Sequence, residues 1–269
     1  MSKGVARVYT DTVRQNEKVL YGVWYPGTPL KLGDYGRMDG NIFVHLGNLS
    51  EFDELKNFEI KVRKDETSDE KLFTSQKGVT YEIKPKVEAT VGTVPVNASI
   101  DINFGKEEAV FVNAAGCTVD MIENKHILGQ KLLEIHKKDK KRWQRNFVLI
   151  TDCIIAKRGL IAVSTSSDFS LSLEAAADVP QINLASASLG LSVKSQKSSG
   201  ERFITEQDFV VMIGLCKIQS NFLAFGNSFK PLAGRFNAIS NEVYKDANFI
   251  STEASEDELV FRQYTNNLT

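Results

Sequence analysis

Cysteine, proline, histidine and tryptophan are all scarce in this 269-residue chain, at three, six, three and two residues. Cys117, Cys153 and Cys216 are too few, odd in number and too widely spaced for a disulfide framework or a paired-cysteine metal site. They read as buried small hydrophobes in a reducing compartment. With only His45, His126 and His136 there is little imidazole for metal binding or base catalysis, and no metal is expected. No Walker A loop, no G-x-G-x-x-G turn and no G-x-S-x-G elbow is present. Asp34 to Gly40 has the outline of a calcium loop but lacks the alternating oxygens and the closing Glu, so it reads as a turn. No enzyme and no cofactor are expected. Excess charge of one sign is also missing, with 33 basic against 34 acidic residues, so attraction to an anionic partner must come from a local patch. The longest apolar stretch, Phe209 to Cys216, falls far short of the roughly 20 residues of a spanning helix. No leader with a charged start and an apolar middle opens the chain, so a cytoplasmic resting state is expected.

What remains is an ordinary globular composition, 42% hydrophobic and 25% charged. Residues 1 to 20 read as a polar helix or arm. Asp39-Gly40 ahead of Asn41-Ile42-Phe43-Val44 reads as a tight turn entering a strand. Phe58 to Val62 alternates as a strand, and the charged, aperiodic stretch 65 to 78 reads as a loop. Val94, Val96, Ala98, Ile100, Ile102 and Phe104 then share one face. Gly105-Lys106-Glu107-Glu108 reads as a turn, with Ala109 to Ala115 returning as the second arm of a hairpin. Helical spacing of Ile127, Leu128, Lys131, Leu132 and Ile135 predicts a helix from about Met121 to Lys138. Lys157-Arg158-Gly159 reads as a turn. From there Ile161, Val163, Phe169, Leu171 and Leu173 hold one face, and Ala162, Ser164, Ser166, Asp168, Ser170 and Ser172 the other. One straight strand of that length would reach about 45 Å. Ile182, Leu184, Leu189, Leu191 and Val193 read as its returning partner, and Phe209 to Ile218 as a buried strand. The fold class expected is α+β, a long, twisted, mainly antiparallel sheet with flanking helices.

Two features carry functional weight. Lys125, Lys131, Lys137, Lys138, Lys140, Lys141, Arg142 and Arg145 crowd one short segment against only Glu134 and Asp139. A solvated helix end, suited to the macrodipole, is the plain reading. The functional reading is anionic lipid, which contributes about 1 kcal/mol per basic residue near the surface. A single aromatic, Trp143, makes no stacking platform, so no nucleic acid is expected. The second feature is the pair of alternating hairpins. A hairpin that crosses a bilayer needs about 9 to 11 residues per strand, apolar toward lipid and polar toward a lumen, in a closed barrel. The plain reading of the same alternation is a curved sheet with one wet face.

The order of these pieces resembles the pore-forming domain of gasdermins. Asn41 to Glu51 followed by Phe58 to Lys64 is similar to that domain's early strand, Leu-Ser-Glu turn and basic-ended strand. Asn97 to Val112 leading into Gln130 to Ile135 resembles its first hairpin and following helix. Phe169 to Ala175 with the return to Val193 resembles its second. The resemblance covers about residues 40 to 220, flanked by an arm over 1–36 and an acidic tail over 237–269, with 37–236 as the pore-forming unit. It implies the compact bacterial or fungal kind, without a large inhibitory C-terminal domain. It further implies homo-oligomerisation, or assembly with closely related subunits, on anionic membrane lipid, and two hairpins per subunit inserted into a β-barrel pore that kills the cell. The tail acids Glu242, Asp246, Glu253, Glu256, Asp257 and Glu258 are a natural complement to the basic cluster and a candidate restraint. The alternative is a soluble, non-enzymatic binding or scaffold protein with a curved antiparallel sheet.

Overall fold

Four long runs of chain make the fold, and each is bent at the same level. The structure, a computed structural model, describes residues 4–75, 78–87, 96–175, 192–220 and 259–265. The first run is β4 (Val62–Thr74) continuing into β5 (Val79–Val87), and the second is β6 (Val96–Phe104) continuing into β7 (Val110–Ile122). The third joins β8 (Val148–Ala156), β9 (Arg158–Ser164) and β10 (Ser170–Ala175). The fourth joins β11 (Ser192–Lys197), β12 (Gly200–Thr205) and β13 (Phe209–Ser220). Below the bends, β4, β7, β8, β9, β12 and β13 belong to a ten-stranded sheet; above them, a four-stranded antiparallel sheet runs β11-β10-β6-β5. The ten-stranded sheet is completed by β1 (Tyr21–Gly22) and β14 (Leu259–Gln263), both on β13, and by the hairpin β2 (Asp34–Asp39) and β3 (Ile42–Asn48). Among the described residues two helices flank it, α1 (Val5–Glu17) and α2 (Lys125–Lys138). The class is α+β and mainly antiparallel, as the sequence led one to expect.

Alternation along the strands decides what each face meets. In β7, Val110, Val112 and Ala114 join Ile161 and Val163 of β9 beneath Val8, Tyr9 and Val13 of α1. The intervening Phe111, Leu160 and Ala162 lie in a second cluster with Ile100, Ile102, Phe104, Phe169, Leu171 and Leu173. The helix α1 and the four-stranded sheet therefore cover opposite faces of the same strands. How sharply the small sheet folds back is plain at Tyr81. Seven residues beyond Thr74, it would stand about 23 Å further along a straight strand. Its ring centroid is instead 5.5 Å from that of Phe111, the register partner of Thr74. A third cluster lies under α2, where Leu128, Leu132 and Ile135 meet Trp143, Leu149 and Ile218.

Several expectations are corrected. Ile161 and Val163 do not share a continuous face with Phe169, Leu171 and Leu173, because the strand ends at Ser164 and resumes at Ser170. Ala162 and Ser164, expected on a wet face, are buried. Gly105 to Ala109 does not close a hairpin: β6 pairs with β5 and β10, while β7 pairs with β4, β8 and β9. Those turn-forming residues carry one strand round the bend between two sheets. The stretch read as a loop is mostly β4, paired among the described residues on β7 alone and dense in charge, as edge strands tend to be. Two irregularities between Asp65 and Lys71 destroy its alternation. Phe58 to Lys61 form no strand, and α2 starts at Lys125 because Met121 and Ile122 still belong to β7. Lys157 is no turn but one residue opposite the left-handed Gly116 (φ +64°), its N–H donating to Ala115 O. Other expectations hold. β13 is buried on both faces, and Gly40 (φ +61°) turns β2 into β3.

Candidate functional site

The basic segment is placed by what lies beneath it. Trp143 is fully buried, its ring centroid 5.6 Å from Tyr35, 5.5 Å from Phe52 and 5.7 Å from Phe147. His136, on the helix end whose plain reading was solvated, is 4% exposed, and its Nδ1 lies 2.7 Å from the Trp143 carbonyl oxygen. Asp139 caps the intervening turn: its N–H donates to Ile135 O, and its carboxylate accepts from the Lys141 N–H at 2.8 Å. Residues 137–142 are thus held at the surface between an anchored helix and an anchored indole.

Of the eight basic residues, Lys125 pairs with Asp152 at 2.6 Å, and two of the other seven, the candidate lipid contacts, are also engaged. Lys131 pairs with Glu134 at 2.9 Å. Arg142 stacks 4.7 Å above the Phe52 ring, donates to Glu51 O at 3.2 Å and lies 3.5 Å from Glu54. Lys137, Lys138, Lys140, Lys141 and Arg145 are exposed and form no ion pair with a described residue. Their field extends inward: Lys217, half-buried against Tyr264, has its pKa lowered by burial and then by Arg145.

The four-stranded sheet has two unlike faces. Register sets Tyr81, Ile102, Leu171 and Gln196 in one row, and Ile83, Ile100, Leu173 and Val193 in another. Ile100, Ile102, Leu171 and Leu173 are fully buried, as are Phe104 and Phe169, whose rings lie 4.9 Å apart. The rows between them run Glu82, Asp101, Ser172, Ser195 and Thr80, Asn103, Ser170, Lys197. Ser172 donates to Asp101 at 2.6 Å on that polar side. Val96 and Ala98 lie in β6 and Val193 in β11; Val94, Ile182, Leu184, Leu189 and Leu191 lie outside the described residues, as do the acidic residues 242–258.

Thiol chemistry has little support in this geometry. Burial pushes the thiols of Cys117 and Cys153 up to about 12 and that of Cys216 up to about 11, which removes the reactive thiolate at neutral pH. The Asp34 carboxylate, candidate for the calcium-like loop, accepts from the Lys31 N–H at 2.9 Å and from Asn48 at 2.7 Å. Among the described residues no group of three or more His, Cys, Asp or Glu side chains is placed to hold a metal ion. Among the same residues no helix is long and apolar enough to cross a membrane.

Two structural contributors had weak sequence signals. One is α1, whose Val5, Val8, Tyr9 and Val13 have helical spacing but sit among Arg and Thr. The other is β14, five residues beyond the acidic run, whose Phe261 packs against Gly129 of α2. Comparison with models of known protein families yields no match, and comparison with curated proteins yields none either.

Proposed function

We propose that the protein is a gasdermin-like pore former, which binds anionic lipid through the end of α2 and inserts the four-stranded sheet as two hairpins of a β-barrel assembled from several copies. The observation that supports this most is the makeup of that sheet. Two hairpins, β5–β6 and β10–β11, lie side by side, with apolar residues confined to one face and Ser, Thr, Asn and charged residues in register on the other. β5 and β6 are paired over nine residues, the length at which a tilted strand crosses the hydrocarbon layer. Ile100, Ile102, Phe104, Phe169, Leu171 and Leu173 of that face are buried against the body, as a resting form needs if the same residues are later to meet lipid. Lys137, Lys138, Lys140, Lys141 and Arg145, which form no ion pair among the described residues, supply an electrostatic contact to the surface that insertion requires.

A second reading rests on the same burial. A face that already packs as a core needs no lipid to explain it, so a soluble binding protein with a bent sheet accounts for the alternation equally. Dye leakage from anionic liposomes separates the two, with leakage expected of the native chain. Leu171→Lys should abolish it, since a charge on the lipid face costs roughly 2–4 kcal/mol at the midplane, while Ser170→Lys on the polar side should retain it. Circular dichroism checks that both variants are folded. Intact native protein that binds such liposomes and leaves them sealed would end the pore reading.

A further inference from the structure

The bends between the two sheets leave backbone groups that the strand ladders do not serve, and serine hydroxyls serve them. At the third bend the Ser164 carbonyl accepts from the Glu108 N–H at 3.1 Å, so the neighbouring Ala109 N–H has lost its ladder partner. Ser164 and Ala109 are both buried, and water is no substitute there. The Ser164 hydroxyl accepts from that N–H at 3.0 Å and donates to Lys106 O at 2.7 Å. On the first run, Ser75 accepts from the Val110 N–H at 3.2 Å. Between the third and fourth runs, Ser166 accepts from the Ser199 N–H at 3.2 Å and donates to Ser199 O at 3.1 Å. Ser198 adds a bond to Asp168 at 2.8 Å. The bent backbone is left-handed at Glu108 (φ +60°), Ser198 (φ +62°) and Gly78 (φ +89°), conformations that only Gly adopts without strain.

We propose that Ser75, Ser164 and Ser166 form a latch that holds the four-stranded sheet folded over the body and lets it open as one cooperative unit. The chemistry allows two satisfied states. In the bent state hydroxyls cap the backbone groups at the bend; in a straightened state Ala109 and Ser164 exchange ordinary ladder bonds and the hydroxyls are free for water. An element with two complete hydrogen-bonding solutions switches between them rather than deforming gradually. The bonds within the small sheet, including Ser172 to Asp101, are the same in both.

Native-state hydrogen exchange, followed by mass spectrometry on the whole protein, tests the latch without lipid. Ser164→Ala is the direct variant, and the double variant Ser75→Ala with Ser166→Ala removes partly exposed hydroxyls and preserves the buried one. Either should speed exchange at the bend amides whose bonds opening breaks, in peptides spanning 105–110, 164–169 and 198–200, together by about tenfold or more, with β8 and β13 unchanged. Ser172→Ala, which removes a bond that opening does not break, should leave the unit's exchange unaltered. Faster exchange confined to the bend that carries the substitution, or an equal rise in β8 and β13, or the same effect from Ser172→Ala, overturns the latch. Only the link from opening to membrane damage rests on the pore reading. Variants that open faster in exchange yet never leak dye would sink that reading and leave the latch standing.

Discussion

Replacing Lys137, Lys138, Lys140 and Lys141 together with Gln should weaken binding to anionic vesicles without disturbing the fold. All four are exposed and form no ion pair with a described residue, and the backbone that carries them is fixed by Trp143, His136 and Asp139. Each cation near an anionic leaflet contributes about 1 kcal/mol, so losing four removes at most about 4 kcal/mol, close to a thousandfold in affinity. The fold should lose almost nothing, since exposed unpaired charges contribute little to stability. Arg142 belongs outside the set: Arg142→Gln gives up the stack on Phe52 and the bond to Glu51 O, so it should lower the melting temperature as well. Vesicle sedimentation over a series of salt concentrations is the assay, with thermal melts as control. The native-to-variant difference should shrink as the Debye length falls from about 10 Å at 0.1 M to about 3 Å at 1 M. Equal vesicle binding by the two proteins at low salt, with both folded, refutes the assignment of this surface to lipid.

Phe261→Ala should cost about 2 kcal/mol, below the range for a fully buried Phe because this side chain is partly exposed, and lower the melting temperature by about 4–8 °C. It is also the necessary comparison for any truncation after Asn241, which removes β14 along with the acidic residues; leakage that rises in the truncation alone assigns restraint to the acids. The three thiols, with pKa values of about 11 to 12 set first by burial, should resist a thiol reagent at pH 8 and react fully in denaturant. Rapid labelling of the native chain would contradict their burial.

Periodicity recovered the parts of this fold that depend on one strand at a time. β13 was legible because both of its faces are apolar, and β10 because Phe169, Leu171 and Leu173 alternate with serines. The bends escaped for a reason rooted in the same pattern. Residues 164–168, Ser-Thr-Ser-Ser-Asp, satisfy an alternation as well as any strand, yet the Ser164 and Ser166 hydroxyls bond across the bend. β4 was hidden by its protection: the charges that keep an edge strand from pairing with another chain also remove its hydrophobic period. His136 lies in the most basic segment of the chain, where a solvated helix end was the plain reading, whereas it is buried with its Nδ1 at the Trp143 carbonyl oxygen.

The deepest gap concerns β9. Its sequence shows Ile161 and Val163 alternating with Leu160, Ala162 and Ser164, which correctly gives two faces but not what covers either. One cover, α1, begins more than 140 residues earlier in the chain; the other is built from β6 and β10. No local window contains that information, and Ala162 and Ser164 look like residues of a wet face until both covers are in place. A membrane-inserting strand and a strand buried on both sides therefore share one sequence signature at this point. What separates them is the energetic independence of the cover. If the small sheet opens as a unit, Phe111, Leu160 and Ala162 lose their partners together with Leu171 and Leu173, and the apolar surface appears in a single step. If it does not open, the same residues are core and nothing more. Exchange rates across the four bends decide between those cases before any lipid is added.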